Sequence, residues 1–271
     1  MLYDREIDGI PPSGTMAPYR PSRPWPWALA RAHLRLAFLL VGIVGGLLAI
    51  NSLHTAYRSA ARQPLCLNNL KQIALALHQY HEVYGSYPPR YIADSAGRPI
   101  HGWRVLLLPF LEREALYREY DFREPWDGPK NIKLLARMPY LFACPSDQRR
   151  REGRTNYVAI GGPGTMFPGA STVKNSEVTD GLANTLTVVE TTTLDVPWTA
   201  PVDLDVRTMS MRINDPDRPG ISSEHPGGAS VALGDGNVTT LKDTQPAKQL
   251  RTYTTIRAGD WNPDDGRSQS L

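Results

Sequence analysis

Fifteen residues, Leu36–Ile50 (LAFLLVGIVGGLLAI), carry no charge and no strongly polar side chain. They limit what the chain can become more than any other stretch. Counted from Leu34, with Arg35 inside it, the run covers 17 residues, roughly 25 Å of helix at about 1.5 Å per residue. That is the short end of what crosses a hydrocarbon core of about 30 Å. Ala28–Ala32 and Leu53–Ala56 extend it, with Arg35 snorkelling outward and Trp25 and Trp27 at headgroup level. The competing reading is the core helix of a soluble fold. The membrane reading is preferred because the run has no polar face.

The segments on either side are of different character. Residues 1–33 hold Pro11, Pro12, Pro18, Pro21, Pro24 and Pro26 with few large aliphatics, too little apolar surface to order themselves, and are expected to form a disordered cytoplasmic tail. A transmembrane helix is expected over 34–56, a globular α+β domain over 57–262 and a flexible C-terminus over 263–271. A cleaved signal peptide fits poorly, because the leading region exceeds 30 residues and no A-x-A-like site follows closely. The flanking charges, Arg23, Arg31 and Arg35 against Arg58, Arg62 and Lys71, do not decide orientation.

Net charge is +3 and the basic residues are scattered, so nucleic acid is not an expected partner. The 22 glycines and 24 prolines predict many turns and long connections. Two cysteines, Cys66 and Cys144, lack CxxC or Cys/His spacing, so no zinc site and no cofactor are expected. If both lie outside the cytoplasm, either one bridge closes a long loop or they are unrelated buried thiols.

Leu65–Tyr84 places Leu70, Ile73, Ala74, Leu77, His81 and Tyr84 on one helical face, stopped by Gly85 and Pro88-Pro89. Pro64 should kink or break the helix before it. Gly102–Tyr120 reads as a helix with Pro109 near its middle, Pro129–Arg137 as a short helix, and Tyr140–Cys144 as a strand. Beyond Thr155, four short runs rich in β-branched residues read as strands: Tyr157–Ile160, Thr185–Glu190, Ala229–Leu233 and Val238–Leu241. GDGN between the last two is a hairpin signal. Gly161–Ala170 and Asp215–Gly228 read as surface connections, and Ala247–Ile256 as a last helix.

The stretches AARQPLCLNNLKQIALALHQYHEVYGSYPP, GWRVLLLPFLEREALY, PWDGPKNIKLLARMP, ACPSD, VTDGLANTLTVVE, VPWTAP and HPGGASVALGDGNV carry a resemblance. Over about Leu53 to Gly259 the chain resembles bacterial pilin-like proteins whose C-terminal signature is a histidine, nine residues, then Asp-Gly. Here that signature is His225, Pro226, Gly227 and Gly228, then Asp235 and Gly236. The resemblance implies a pilin-like fold, with a long N-terminal helix, its first half in the membrane, packed on a small antiparallel sheet with long loops. It also implies a single-pass protein of the cytoplasmic membrane, N-terminus in the cytoplasm and domain in the periplasm. Pseudopilins of a type II secretion or type IV pilus-like system, or other envelope proteins, are the implied partners besides membrane lipid. One departure stands out. Arg35 sits about where such proteins carry the glutamate after the prepilin cleavage site, and no Gly-Phe precedes it, so the helix is expected to remain as an uncleaved anchor.

Each candidate for chemistry has a structural alternative, and no enzymatic reaction is expected. His78, His81 and Glu82 can share a helix face but lack HExxH order, and read as satisfied residues where helix meets sheet. His225 could face Asp235 across two short segments, yet Ser222, Ser223 and Ser230 lie in no nucleophile elbow. Asp235 reads better as a turn cap, with Gly236 supplying positive φ. Asp203, Asp205, Asp215 and Asp217 suit a solvated loop better than a calcium site. Gly42 and Gly46 form a small-xxx-small pair that allows helix packing and self-association in the membrane. The alternative to a structural role is a binding module recognising a glycan, peptide or envelope partner through loops 161–180 and 195–228. A hydrolase using His225 and Asp235 is the remote third.

Overall fold

In a computed structural model, helix α1 runs from Pro26 to Tyr84. Residues 26–147 and 152–257 are described; most of the expected tail and the whole of the expected flexible C-terminus lie outside them. The chain divides into two units, Met1–Leu53 and His54–Leu271.

The first unit contributes the apolar part of α1. His33–Leu53, 21 residues, is long and apolar enough to cross a membrane, and none of it is buried within the protein. Phe38 and Val41 are 69% and 70% exposed. A soluble protein's core helix would bury one stripe of such a run; this one buries none.

In the second unit α1 becomes amphipathic. Pro64 lies inside the helix without ending it, so the expected break is absent, although its missing N–H removes one rung of the ladder. Cys66, Leu70, Ile73, Ala74 and Leu77 are buried in sequence order on one face. Burial of each large side chain contributes about 1.5–3 kcal/mol, which holds the helical path beyond the proline.

The chain then makes a two-stranded antiparallel pair, β1 (Tyr91–Ala93) and β2 (Pro99–Gly102). The helix expected over 102–120 is instead three pieces: α2 (Trp103–Leu106), a 3-10 turn at Leu108–Leu111 and α3 (Glu114–Glu119). Pro109 opens the 3-10 turn, and Glu112, at φ +57°, ends it, because a left-handed residue cannot continue a right-handed helix. The expected Pro129–Arg137 helix is a 3-10 helix over Asn131–Arg137. Tyr140–Cys144 is not a strand. Tyr140–Phe142 forms a 3-10 turn after Pro139.

Strands β3 (Arg154–Thr155), β4 (Tyr157–Gly161), β5 (Leu186–Glu190), β6 (Val196–Pro197), β7 (Leu204–Asp205), β8 (Gly228–Leu233) and β9 (Val238–Lys242) precede helix α4 (Ala247–Thr254). β3 pairs with β6, and the main sheet has the order β7-β4-β5-β8-β9. Its pairs are antiparallel except for β4 with β7. The fold is therefore α+β, with an N-terminal apolar helix and small antiparallel sheets.

Strand alternation divides the core in two. Tyr157, Ala159, Val188 and Ala232 share one cluster with the buried face of α1. Val158, Ile160, Val189, Ala229 and Val231 share another with Val206, Met209, Ile213 and Ile221 from the connections and Leu250 of α4. Both sheet faces are covered, which is why these strands read as short continuous apolar runs. The segments expected to run over the surface supply part of that cover. Met166 and Phe167 of residues 161–170 are buried, as is Ile221 of residues 215–228.

A buried cysteine, histidine and glutamate cluster

Cys66 enters the core from α1. Cys144 follows the Tyr140–Phe142 turn, and two asparagines hold it in place. Asn156 Oδ1 accepts the Cys144 N–H at 2.8 Å, and Asn69 Nδ2, from α1, donates to Ala143 O at 3.1 Å. With Cα atoms 5.5 Å apart, Cys66 and Cys144 form a disulfide. It bridges a sequence separation of 78, a loop whose closure removes about 4.5 kcal/mol of unfolded-state entropy.

His225 covers the bridge. The residue is 2% exposed, with Nε2 3.1 Å from Cys66 Sγ and 3.5 Å from Cys144 Sγ. Its backbone N–H donates to Ser223 Oγ at 3.1 Å. Gly228 then lets β8 close on β9, since a Cβ there would overlap the Leu241 carbonyl oxygen.

Glu190, the last residue of β5, completes the cluster. Val189 faces the second core, so alternation turns Glu190 toward α1. It is fully buried, and its Oε2 accepts the Ser230 N–H at 3.3 Å. Burial pushes its carboxyl up to about 7; the neighbouring Ser223 and Ser230 groups pull it down, and Asp147 adds to the rise. Ligand-type atoms of Cys66, Cys144, Glu190 and His225 all lie within 4.8 Å of one another. Local spacing gave no hint of this set. Four separate segments supply it, and Glu190 looks like the end of an apolar strand.

His225 does not face Asp235. They flank opposite ends of β8, whose six residues span roughly 20 Å. Asp235 caps the β8–β9 turn, accepting the Asn237 N–H at 2.9 Å and Asn237 Nδ2 at 2.6 Å, and Gly236 has φ +81°. The turn also grips α1 and the segment that follows it. Lys71 Nζ donates to Gly236 O at 2.7 Å, Tyr87 Oη donates to Gly234 O at 3.2 Å, and a Cβ at Gly236 would lie 3.1 Å from His78 Nε2. From Cys66 to His78 the helix rises about 18 Å, close to the length of β8. The His225 and Asp235-Gly236 ends therefore fasten the hairpin to α1 at two heights. Pro226 and Gly227 form the turn between His225 and β8, Gly227 at φ +85°.

The other candidates take structural places. His81 Nε2 accepts the Asn175 N–H at 3.4 Å, and its ring packs on Tyr87. Ser222 Oγ accepts the Thr192 N–H at 2.9 Å, and Ser223 N–H donates to Asn214 Oδ1 at 2.8 Å. Asp205 pairs with Arg207, and Asp215 accepts from Ser210 Oγ at 2.5 Å and Asp217 N–H at 3.0 Å. Gly42 and Gly46 have open space where a Cβ would stand.

Asp203 corrects the expectation of a solvated acidic loop. Asp203 and Arg104 are an ion pair at 2.7 Å with both side chains 0% exposed. Asp203 Oδ1 also accepts Trp103 Nε1 and the Ala159 N–H, and Arg104 Nε donates to Tyr157 O. Burial pushes the Asp203 carboxyl up and the Arg104 guanidinium down from their ordinary values, and each partner's charge opposes that drift.

Fold and site together define an α+β domain, stapled by a buried disulfide to a helix that carries the uncharged, apolar run Leu36–Ile50. The chain belongs to the family described as proteins of unknown function, DUF1559, whose model matches residues 55–248. No curated protein and no solved structure matches it.

Proposed function

We propose that this is a membrane-anchored, pseudopilin-like protein with a structural or interaction role in a type II secretion or type IV pilus-like system or elsewhere in the cell envelope. The observation that carries the anchor is the His33–Leu53 stretch, which buries nothing within the protein and is followed in the same helix by the face that seats the sheet. In lipid, an all-apolar surface loses its cost of exposure to water. The domain lies in the periplasm and the N-terminus in the cytoplasm. The Cys66–Cys144 bridge supports that orientation, since disulfides persist in oxidising compartments.

The role is non-catalytic. His225 Nε2 faces two sulfurs and Asp235 a turn, so the His225–Asp235 pairing that a hydrolase reading would need is not formed. Partners are lipid, other pseudopilins or envelope proteins and, through Gly42 and Gly46, a second copy. Ligand recognition through loops 161–180 and 195–228 has less support, because Phe167, Trp198 and Leu204 point inward.

Cross-linking in intact membranes tests the role. Adducts with pseudopilins or their assembly platform are expected. Their absence, while the domain's melting temperature shifts with a defined glycan or peptide, would replace this reading with the binding module. Recovery of the full chain in the supernatant after detergent-free lysis and ultracentrifugation would remove the anchor altogether.

A further inference from the structure

Four side chains from four segments converge on one buried point, and their chemistry is that of a metal centre as much as of a crosslink. We propose that, when Cys66 and Cys144 are reduced, their sulfurs bind one Zn2+ together with His225 Nε2 and a Glu190 carboxylate oxygen. The zinc dithiolate and the disulfide are then mutually exclusive closures of the same site. The inference stands whether or not the anchor role does.

Geometry supports it first. A tetrahedral zinc with bonds of about 2.3 Å to sulfur and about 2.0–2.1 Å to nitrogen sets S and N about 3.5 Å apart. The His225 Nε2 to sulfur distances are 3.1 and 3.5 Å, and the whole donor set lies within 4.8 Å. Loading asks the sulfurs to part from a bonding separation of about 2.05 Å to about 3.8 Å; His225 Nε2 already stands at ligand spacing from both, and a Glu190 oxygen lies within the same 4.8 Å set.

The second support is Glu190. It is 0% exposed and its Oε1 meets no hydrogen-bond donor among the described residues. A buried carboxylate oxygen without a donor is costly, and a cation beside it removes that cost. With two thiolates, one carboxylate and one neutral imidazole the zinc site carries a net charge of −1, the same as a Cys3His structural site.

The two states interconvert with balanced chemistry. Zinc loading releases one proton from each thiol and, where the Glu190 carboxyl is protonated, one from it as well. Oxidation transfers two electrons from the dithiolate to an exchanging disulfide, which becomes two thiolates that take their protons from water. The Cys66–Cys144 bond forms and the zinc leaves.

The test uses the full chain in detergent, reduced by a water-soluble phosphine, which takes oxygen from water to become its oxide while each cysteine sulfur gains a proton. Co2+ is titrated in as a spectroscopic probe, then Zn2+. Expected are one Co2+ per chain, tetrahedral visible bands with a near-ultraviolet sulfur-to-metal band, bleaching by Zn2+, and no uptake by the oxidised protein. Cys66→Ser should lose the sulfur band of the paired thiolates, and Glu190→Gln should shift the visible bands and weaken binding by at least about tenfold. Circular dichroism reports folding throughout. Reduced, folded protein that takes up no Co2+ overturns the proposal. So does uptake with bands and affinity unchanged in both Glu190→Gln and His225→Gln. If the reduced chain unfolds, refolding with Zn2+ should restore the native spectrum; failure to do so also overturns it.

Discussion

His225 Nε2 lies 3.1 Å from Cys66 Sγ across a sequence separation of 159 residues. A loop before β8 and the C-terminal half of α1 thus share one buried contact, and the disulfide to Cys144 ties a third segment to it. The motif that runs from His225 to Gly236 is a fastener with two unequal ends.

That inequality is measurable. His225→Ala removes a buried ring and should destabilise the domain by about 2–5 kcal/mol, the range of large-to-small core changes. Asp235→Ala removes hydrogen bonds in a turn and should cost about 0.5–1.5 kcal/mol. Urea denaturation of the two variants checks this; equal losses would contradict the two-ended fastener.

Opening the bridge has its own expected size. Cys144→Ser should lower stability by about 4.5 kcal/mol if chain entropy dominates. The same loss should appear when wild-type protein is denatured under reductant, provided divalent metal is chelated.

Glu190 makes stability fall with rising pH. Its carboxyl is raised from 4.5 to about 7 in the fold, so between those values the folded chain holds a proton the unfolded chain has lost. Its stabilising effect is complete below pH 4.5, declines as pH rises and is gone above about 7, a difference of about 3 kcal/mol. Glu190→Gln should flatten this slope. A pH series of melts on both proteins measures it.

The Arg104–Asp203 pair is sealed from water, so removing one partner strands the other. Asp203→Asn or Arg104→Met should each cost about 3–5 kcal/mol, while the double change to Met and Leu should cost less than the sum. A double-mutant cycle on thermal or urea unfolding gives the coupling.

Charge in the anchor should release it. Val41→Arg with Val44→Arg adds two charges near the centre of the span, at about 2.5–3.5 kcal/mol each. The protein should move from the membrane pellet toward the supernatant, with the domain's own unfolding unchanged.

Much of this protein was legible in its local patterns. Leu36–Ile50 is apolar on every side, Leu70, Ile73 and Leu77 repeat at helical spacing, and β4, β5, β8 and β9 appear as β-branched runs at nearly their observed bounds. Each depends on neighbours within a turn or two of chain, where periodicity and propensity act. Pro109 signalled a disturbance, but whether the chain would kink or split into three pieces depended on Trp103, Leu107 and Leu108 being drawn into the core.

The sequence by itself determined that Leu36–Ile50 is apolar on every side, that an antiparallel sheet follows, and that two cysteines were available to meet. Tertiary structure alone decided that they do meet, that His225 rather than Asp235 attends them, that Glu190 points inward, and that Asp203 is paired instead of solvated. The reason is distance. Those relationships join residues 40 to 159 positions apart, and no periodic signal reaches across a loop. Only the closing of α1 against β4, β5 and β8 sets which polar groups lose their water and must find each other.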